Sequence, residues 1–334
     1  VEAFNNKDGL YFIVEEGQFN LGDFGKAKQM IELAGKTGAT AIEFQLAYAD
    51  DFYIRAESGH AIYKTREFSD AQLQELVDYT HQHGLQFVAT CLSHKLVPKM
   101  AAFGADTFNV NASDINNAHI VDAVVATGRP FFVATPLATE EEIAWVVSRI
   151  RSQKPDAQFV LLHGQHSMAS GHEWVEPVDT SLGYLKTLKE TYGVPVGFID
   201  HTRVDWMPAA AVAAGASVIS KHITMSAVFQ GPDWAICLEP PVMKEAIARA
   251  RAVHESMKVN AKHLAKGEDL DRTVMRRSVV ALRPIAAGKV IEGEDIGFKR
   301  PGTGISPDKA AAIVGKKATR DISEDELFSA DMFH

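Results

Sequence analysis

Eight short runs rich in β-branched and aromatic residues, each followed by a longer amphipathic stretch, constrain this chain more than anything else in it. In order they read "YFIVEEG", "TAIEFQ", "QFVATC", "TFNVN", "PFFVAT", "FVLLHG", "VGFID" and "VISKHI", and each has the length and composition of a strand. Between them lie helical patterns such as "DFGKAKQMIELAGKTG", "SDAQLQELVDYTHQHG" and "TEEEIAWVVSRIRSQ". Several open on Ser, Thr or Asp and close near a Gly, as helix caps require. Strand–helix alternation repeated eight times predicts a (β/α)8 TIM barrel rather than an open sheet.

Such a barrel takes roughly 250 residues, and the chain has 334. A last helix, Pro241 to Met257, is followed by "KVNAKHLAKGEDLDRTVMRR", polar and charged without a clear period, which reads as a linker. The tail beyond it has short strands, Gly turns and one helical patch. The expected organisation is a barrel over 1–260, a linker over 261–275 and a small β-rich domain over 276–334.

The net charge of −9 and the 23% of charged residues argue against nucleic acid or an anionic membrane surface as the main partner. Two cysteines, Cys91 and Cys237, are too few for a disulfide framework, and the N-terminus lacks a basic-then-apolar signal pattern. No apolar stretch approaches the ~20 residues of a membrane span. The expectation is a soluble protein of the reducing cytoplasm.

Barrel chemistry gathers at the C-terminal ends of the strands. Those ends carry Glu15 and Glu16, Glu43 and Gln45, Thr90 and Cys91, Asn109 and Asn111, Thr135, His163 and Gln165, Asp200 and His201, then Lys221 and His222. His201 and His222 close adjacent strands, and two neutral imidazoles beside a carboxylate suit a divalent metal of the manganese, iron, cobalt or zinc type. The alternative is that one or both are hydrogen-bonded structural histidines. Glu15 is a third ligand, a partner for substrate hydroxyls, or a general base if desolvation raises its pKa. Glu16 points the opposite way, so one of the two serves in a salt bridge. In "HGQHSMASGHEW" the strand residue His163 is a better candidate than the loop residues His166 and His172. Cys91 reads as buried and inert, since nothing in the sequence supplies a cation to activate it. Arg300, in "KRPGTGISP", is either a planar clamp for a carboxylate, amide or phosphate, or part of a solvated basic turn.

Taken together, these pieces resemble the sialic acid synthase family, whose members carry a (β/α)8 barrel followed by a small antifreeze-like (SAF) domain. "FIVEEGQFNLGDFGKAKQMIELAGKTGATAIEFQ" is similar to the family's opening, and "DHT", "KHIT", "GPDWAICLEP" and "RRSVVALRPIAAGKVI…KRPGTGISP…VGKKA" follow in the family's order. The resemblance implies condensation of phosphoenolpyruvate with the open-chain form of an N-acylated amino sugar, giving a nonulosonic acid. It implies a divalent metal, Mn2+ above all, held by His201 and His222 and polarising the sugar aldehyde. It maps Glu15 and Asp233 onto the substrate side and keeps Thr90 and the acid at Asp114, while Gln45, Asn109, His163 and Gln165 join them as substrate-binding candidates from their strand ends. It maps Arg300 onto an arginine lent to a neighbouring subunit, which makes the expected working unit a homodimer with exchanged SAF domains.

The departures from the family pattern cluster at one place. A lysine of the second strand is replaced by Glu43 and a lysine of the fourth by Asn109, while two small hydroxyl residues become Ala134 and Ile199. Turning a lysine into a carboxylate changes the local charge by two units, and opposed charges a few Å apart are worth several kcal/mol. Glu43 therefore marks a rewired co-substrate site, or else pairs with a lysine such as Lys64 or Lys221, because a buried carboxylate requires a partner. The alternative function is a metal-dependent aldolase, isomerase or lyase acting on a sugar without phosphoenolpyruvate.

Overall fold

The computed structural model describes residue 4 and residues 9–167, 174–228, 231 and 233–334. The chain divides into two compact units, 1–259 and 260–334. In the first, eight parallel strands close a barrel in chain order. They are β1 (Tyr11–Glu15), β2 (Ala41–Leu46), β3 (Gln86–Cys91), β4 (Thr107–Val110), β5 (Phe131–Ala134), β6 (Phe159–His163), β7 (Val196–Asp200) and β8 (Val218–His222). The eight runs expected from the sequence are these eight strands.

Side-chain alternation along each strand splits the core in two. Phe12, Val14, Ile42, Phe44, Phe87 and Phe108 face outward and meet the helices in one large cluster. Tyr11, Ile13, Val88, Phe132, Val160, Leu162, Ile199 and Val218 face inward and fill the barrel. At its N-terminal end Phe4 stacks on Phe132 with centroids 4.8 Å apart, which plugs the bottom with apolar rings.

The helices begin where the sequence provides caps. Ser69 and Thr139 form capping boxes with Gln72 and Glu142, starting the helices Asp70–Gln82 and Glu140–Gln153. Each then buries one face, Leu73, Leu76, Val77 and Thr80 in the first and Ile143, Val146, Val147 and Ile150 in the second. That i, i+3, i+4, i+7 spacing is what seats a helix on the barrel wall. Among the described residues no helix is long and apolar enough to cross a membrane.

In the second unit, β9 (Ser278–Ala281) pairs antiparallel with β10 (Ile296–Lys299) over a core that includes Val279, Ile285, Ile291, Ile313, Phe328 and Met332. Asp295 is fully buried there and accepts from Lys289 Nζ at 2.8 Å, the Glu292 amide at 2.8 Å and Arg283 Nε at 2.6 Å. Burial alone would raise its pKa, but these donors hold it at about 2. The stretch expected to be a linker contains a helix, Glu268–Met275. Its Leu270 and Val274 repeat at i, i+4, a period hidden among seven charged neighbours in "KGEDLDRTVMRR" that dominate the composition.

Gly197 on β7 is closely packed in the barrel interior. A Cβ there would lie 2.5 Å from Leu162 Cδ2 and 2.6 Å from the Val218 carbonyl oxygen. Gly197→Ala is expected to destabilise the protein by about 1–3 kcal/mol through overpacking, read as a lower urea midpoint with an unchanged slope. An unshifted midpoint would show that the strands can part at no energetic cost.

Candidate active site

The barrel register builds the site. In β1, Tyr11 and Ile13 point inward, so Glu15 does too, at the C-terminal rim. Its lateral partners are Glu43 on β2 and His222 on β8. Three adjacent strands thus present two carboxyl groups and an imidazole side by side, and the next turn of the alternation adds Gln45 opposite Thr90 on β3. These residues open onto a cleft whose wall also includes Asn109, Asn111, Ala134, His166, Ile199, His201 and Asp233.

Hydrogen bonds tie the wall together. Glu15 Oε1 accepts from Gln45 Nε2 at 2.5 Å, while its Oε2 lies 3.4 Å from His222 Nε2. Gln45 Oε1 in turn accepts from Gln18 Nε2 at 3.0 Å, and Gln18 also donates to Tyr63 Oη and accepts from Arg66. Glu43 Oε1 accepts both from Thr90 Oγ1 and from Asn109 Nδ2, the latter at 2.8 Å.

Neither of the two expected lysines answers Glu43. Lys64 is bound to Glu67 and Asp50 on the exterior, and Lys221 points outward from β8, where its Nζ lies 3.0 Å from Asp200 Oδ2 with both side chains fully buried. The expected ion pair is replaced by neutral donors. Burial pushes the Glu43 carboxyl up to about 8, with the nearby Glu15 adding to the rise. Glu15 is also pushed up to about 8, by burial and then by Asp233 and Glu16, against the opposing bond from Gln45. Glu16 makes no salt bridge among the described residues. It is fully buried and accepts from Asn20 Nδ2 at 2.8 Å.

The histidines are shifted the other way. Burial drives His201 well below its ordinary value, helped by His222 and His166, and takes His222 down to about 4. Their ring centroids are 5.3 Å apart. His201 Nδ1 lies 2.7 Å from the Gln165 carbonyl oxygen, so in the neutral ring Nδ1 carries the proton and Nε2 keeps its lone pair. His222 Nδ1 is buried without a hydrogen-bond partner among the described residues. Gly17, at φ 58°, leaves the space in front of it open, since a Cβ there would come within 2.9 Å of Nδ1 and 3.6 Å of Asp233 Oδ2. Two neutral imidazoles with uncommitted lone pairs match the donor chemistry of a divalent metal. Among the described residues no group of three His, Cys, Asp or Glu is set close enough to hold one, so the two histidines would share coordination with water and substrate.

Other candidates fall elsewhere. His163 follows the outward-facing Leu161, so its ring turns to the helices, where Nε2 lies 3.1 Å from the Thr180 carbonyl oxygen and the ring meets Tyr184 edge-on. Asp114 is buried beside the rim and accepts from Asn117 Nδ2 at 2.9 Å and Ser113 Oγ at 3.0 Å. Gln165 acts through its carbonyl oxygen on His201. Cys91 is buried with its thiol pKa pushed up by desolvation. Arg300 belongs to the second unit, and His172 lies outside the described residues. The chain Gln18–Tyr63–Arg66 had not been expected. Tyr63 and Arg66 come from the long excursion between β2 and β3, and no local sequence motif marks them.

Known proteins share this architecture. A model of the NeuB family matches residues 30–262 and one of the SAF domain matches residues 276–334. An uncharacterized protein of Methanocaldococcus jannaschii is 32% identical over 322 residues, covering 96% of this chain and 94% of that one. N,N'-diacetyllegionaminic acid synthase of Campylobacter jejuni is 28% identical over 331 residues, covering 94% of this chain and 97% of its own. The crystal structure of an N-acetylneuraminic acid synthetase from Leptospira borgpetersenii, in complex with citrate, matches with a TM-score of 0.71 at 25% identity, over 78% of this chain and 90% of that one. The chain belongs to the NeuB family, and is an enzyme that forms a carbon–carbon bond in a condensation of the nonulosonic-acid-synthase type.

Proposed function

We propose that the protein joins a three-carbon donor of the enolpyruvyl type to the aldehyde of an open-chain N-acylated amino sugar, giving a nonulosonic-type keto acid. The observation that carries this reading is the registered row Glu43, Glu15 and His222, with His201 beside it, at the C-terminal rim of a family barrel. On this reading residues 1–260 are the catalytic barrel and 276–334 the SAF unit. The working unit is a homodimer in which Arg300 reaches the partner's site.

His201 and His222 would hold the metal, manganese in our reading, and Lewis-acid polarisation of a carbonyl is the chemistry it would supply there. Metal dependence is general to the family. Glu15, protonated near neutral pH, donates a hydrogen bond to the acceptor and hands over a proton as the aldehyde oxygen becomes a hydroxyl. Gln45 keeps Glu15 turned into the cleft, and the Gln165 carbonyl keeps His201 in the tautomer that offers Nε2. Asp233 and the amides of Asn109 and Asn111 position polar arms of the substrates.

The test supplies manganese-loaded protein with a panel of N-acetylated hexosamines and two three-carbon donors, phosphoenolpyruvate and pyruvate, and measures 2-keto-3-deoxy acid. Product is expected only with metal and amino sugar together. Glu15→Gln is expected to lower the rate by about 10²–10⁴-fold, and His201→Ala to abolish stoichiometric manganese binding as well as turnover. No product from any sugar, or full manganese binding by His201→Ala, contradicts the reading.

A second outcome concerns stability. A carboxyl whose pKa is higher folded than unfolded supports the fold fully below its unfolded value, and loses that support as pH rises through its folded value. Glu15 and Glu43, both raised to about 8, therefore predict a melting temperature that falls from about pH 5 to beyond pH 8. Glu43→Gln, neutral at every pH, should flatten that fall. A slope unchanged by Glu43→Gln would mean that Glu43 ionises freely in the fold.

A further inference from the structure

The donor end of the cleft is built from hydrogen-bond acceptors. Glu43 stands there on β2, and Asn109, whose Nδ2 is given to Glu43, leaves a buried Oδ1 with no partner among the described residues. Ala134 and Ile199 complete that end with apolar side chains. No lysine or arginine lines the cleft among the described residues. Lys221 faces the helix layer in its pair with Asp200. Arg66 donates to Gln18 and lines a separate cleft that shares only Gln45 with this one. A phosphate monoester placed here would set two or more negative charges against a carboxyl group and an orphan carbonyl oxygen, with no lysine or arginine in the cleft wall among the described residues.

We propose that the three-carbon donor enters without a phosphate group, as the 2-oxo acid pyruvate, and that Glu43 carries the proton removed from its methyl carbon. This rests on the condensation proposed above and names its donor. The step balances with no further reactant. The C3–H bond of pyruvate breaks, its proton goes to the Glu43 carboxylate and its electron pair forms the enolate. The enolate carbon then bonds to the aldehyde carbon, and the aldehyde oxygen takes a proton to become the new hydroxyl. The product is the same 2-keto-3-deoxy acid that an enol-phosphate donor would give, but no water is consumed and no phosphate leaves. Because no phosphate ester is cleaved, the reaction runs in both directions.

The bonding of Glu43 fits this task. Thr90 and Asn109 both bind Oε1 and Ser220 also hydrogen-bonds the carboxyl, so neutral donors hold the group in the cleft wall without an ion pair. Burial keeps the group near the midpoint of its titration at neutral to mildly alkaline pH, where an acid–base group works best.

The test follows the methyl signal of pyruvate by proton NMR in D2O with the manganese-loaded full chain, a half-reaction that needs no sugar. Protein is expected to speed deuterium exchange at C3 by about 10²-fold or more over metal and buffer alone, and Glu43→Gln to remove most of that gain. In parallel, phosphoenolpyruvate is titrated calorimetrically into wild type and Arg300→Ala, with no heat expected from either. Exchange without phosphoenolpyruvate binding supports the proposal. Phosphate release from phosphoenolpyruvate with an N-acetylated hexosamine, while pyruvate stays inert, overturns it and leaves the condensation intact. Heat that disappears in Arg300→Ala overturns it by locating a phosphate contact on the second unit. Silence toward both donors, in exchange and in product formation, overturns this inference and the condensation together.

Discussion

Everything at this site depends on a fixed lateral register between parallel strands. Because Glu15 is paired across the ladder with Glu43 on one side and His222 on the other, and because side chains alternate strictly along a strand, these three groups have no choice but to share the barrel mouth. A slip of one residue in β1 would turn Glu15 into the helix layer and replace it with an apolar or outward-facing neighbour. The apolar inner layers beneath, from Phe4 and Tyr11 up to Leu162 and Ile199, hold that register. Packing at the bottom of the barrel therefore underwrites chemistry at the top.

Burial then decides protonation. Desolvation disfavours whichever form carries charge, so it raises Glu15 and Glu43 and lowers His201 and His222. The result is that Glu15, Glu43, His201 and His222 are each biased toward the uncharged form. The contrast with Lys221 and Asp200 is instructive, since these sit on the opposite face of the same strand ends and are also fully buried. They have each other at 3.0 Å, whereas the groups in the cleft have only amides, hydroxyls and one another. Lys221 also donates to the Thr202 carbonyl, and Asp200 Oδ1 accepts from the Thr202 amide at 2.8 Å. That ion pair braces the segment presenting His201, and the breaking of such a buried pair costs about 3–5 kcal/mol.

How far the sequence could be read follows from the same physics. The eight strands were legible because each is an isolated apolar run between capped helices. Glu43, His201 and His222 stood out because a charged or ligating residue at the end of such a run is exceptional. His163 was misplaced for a specific reason. Leu161 and Leu162 are equally apolar, so nothing in the run shows which of them faces inward, and the structure puts Leu162 in and His163 out. The partner of Glu43 was likewise invisible, because Thr90 and Asn109 reach it from β3 and β4 only through the sheet register. Tyr63 and Arg66 arrive from an excursion whose path no local pattern describes.

The central claim is that this condensation site holds its donor-side acid uncharged at neutral pH, in place of a cation. Carbon-13 NMR of protein labelled at glutamate Cδ, with the Glu43 resonance assigned by its absence in Glu43→Gln, reads that directly across pH 5 to 10. The account predicts a midpoint for Glu43 near 8. A midpoint near the ordinary carboxylate value of about 4.3 would mean a charged Glu43 with an unseen cationic partner, and would contradict it.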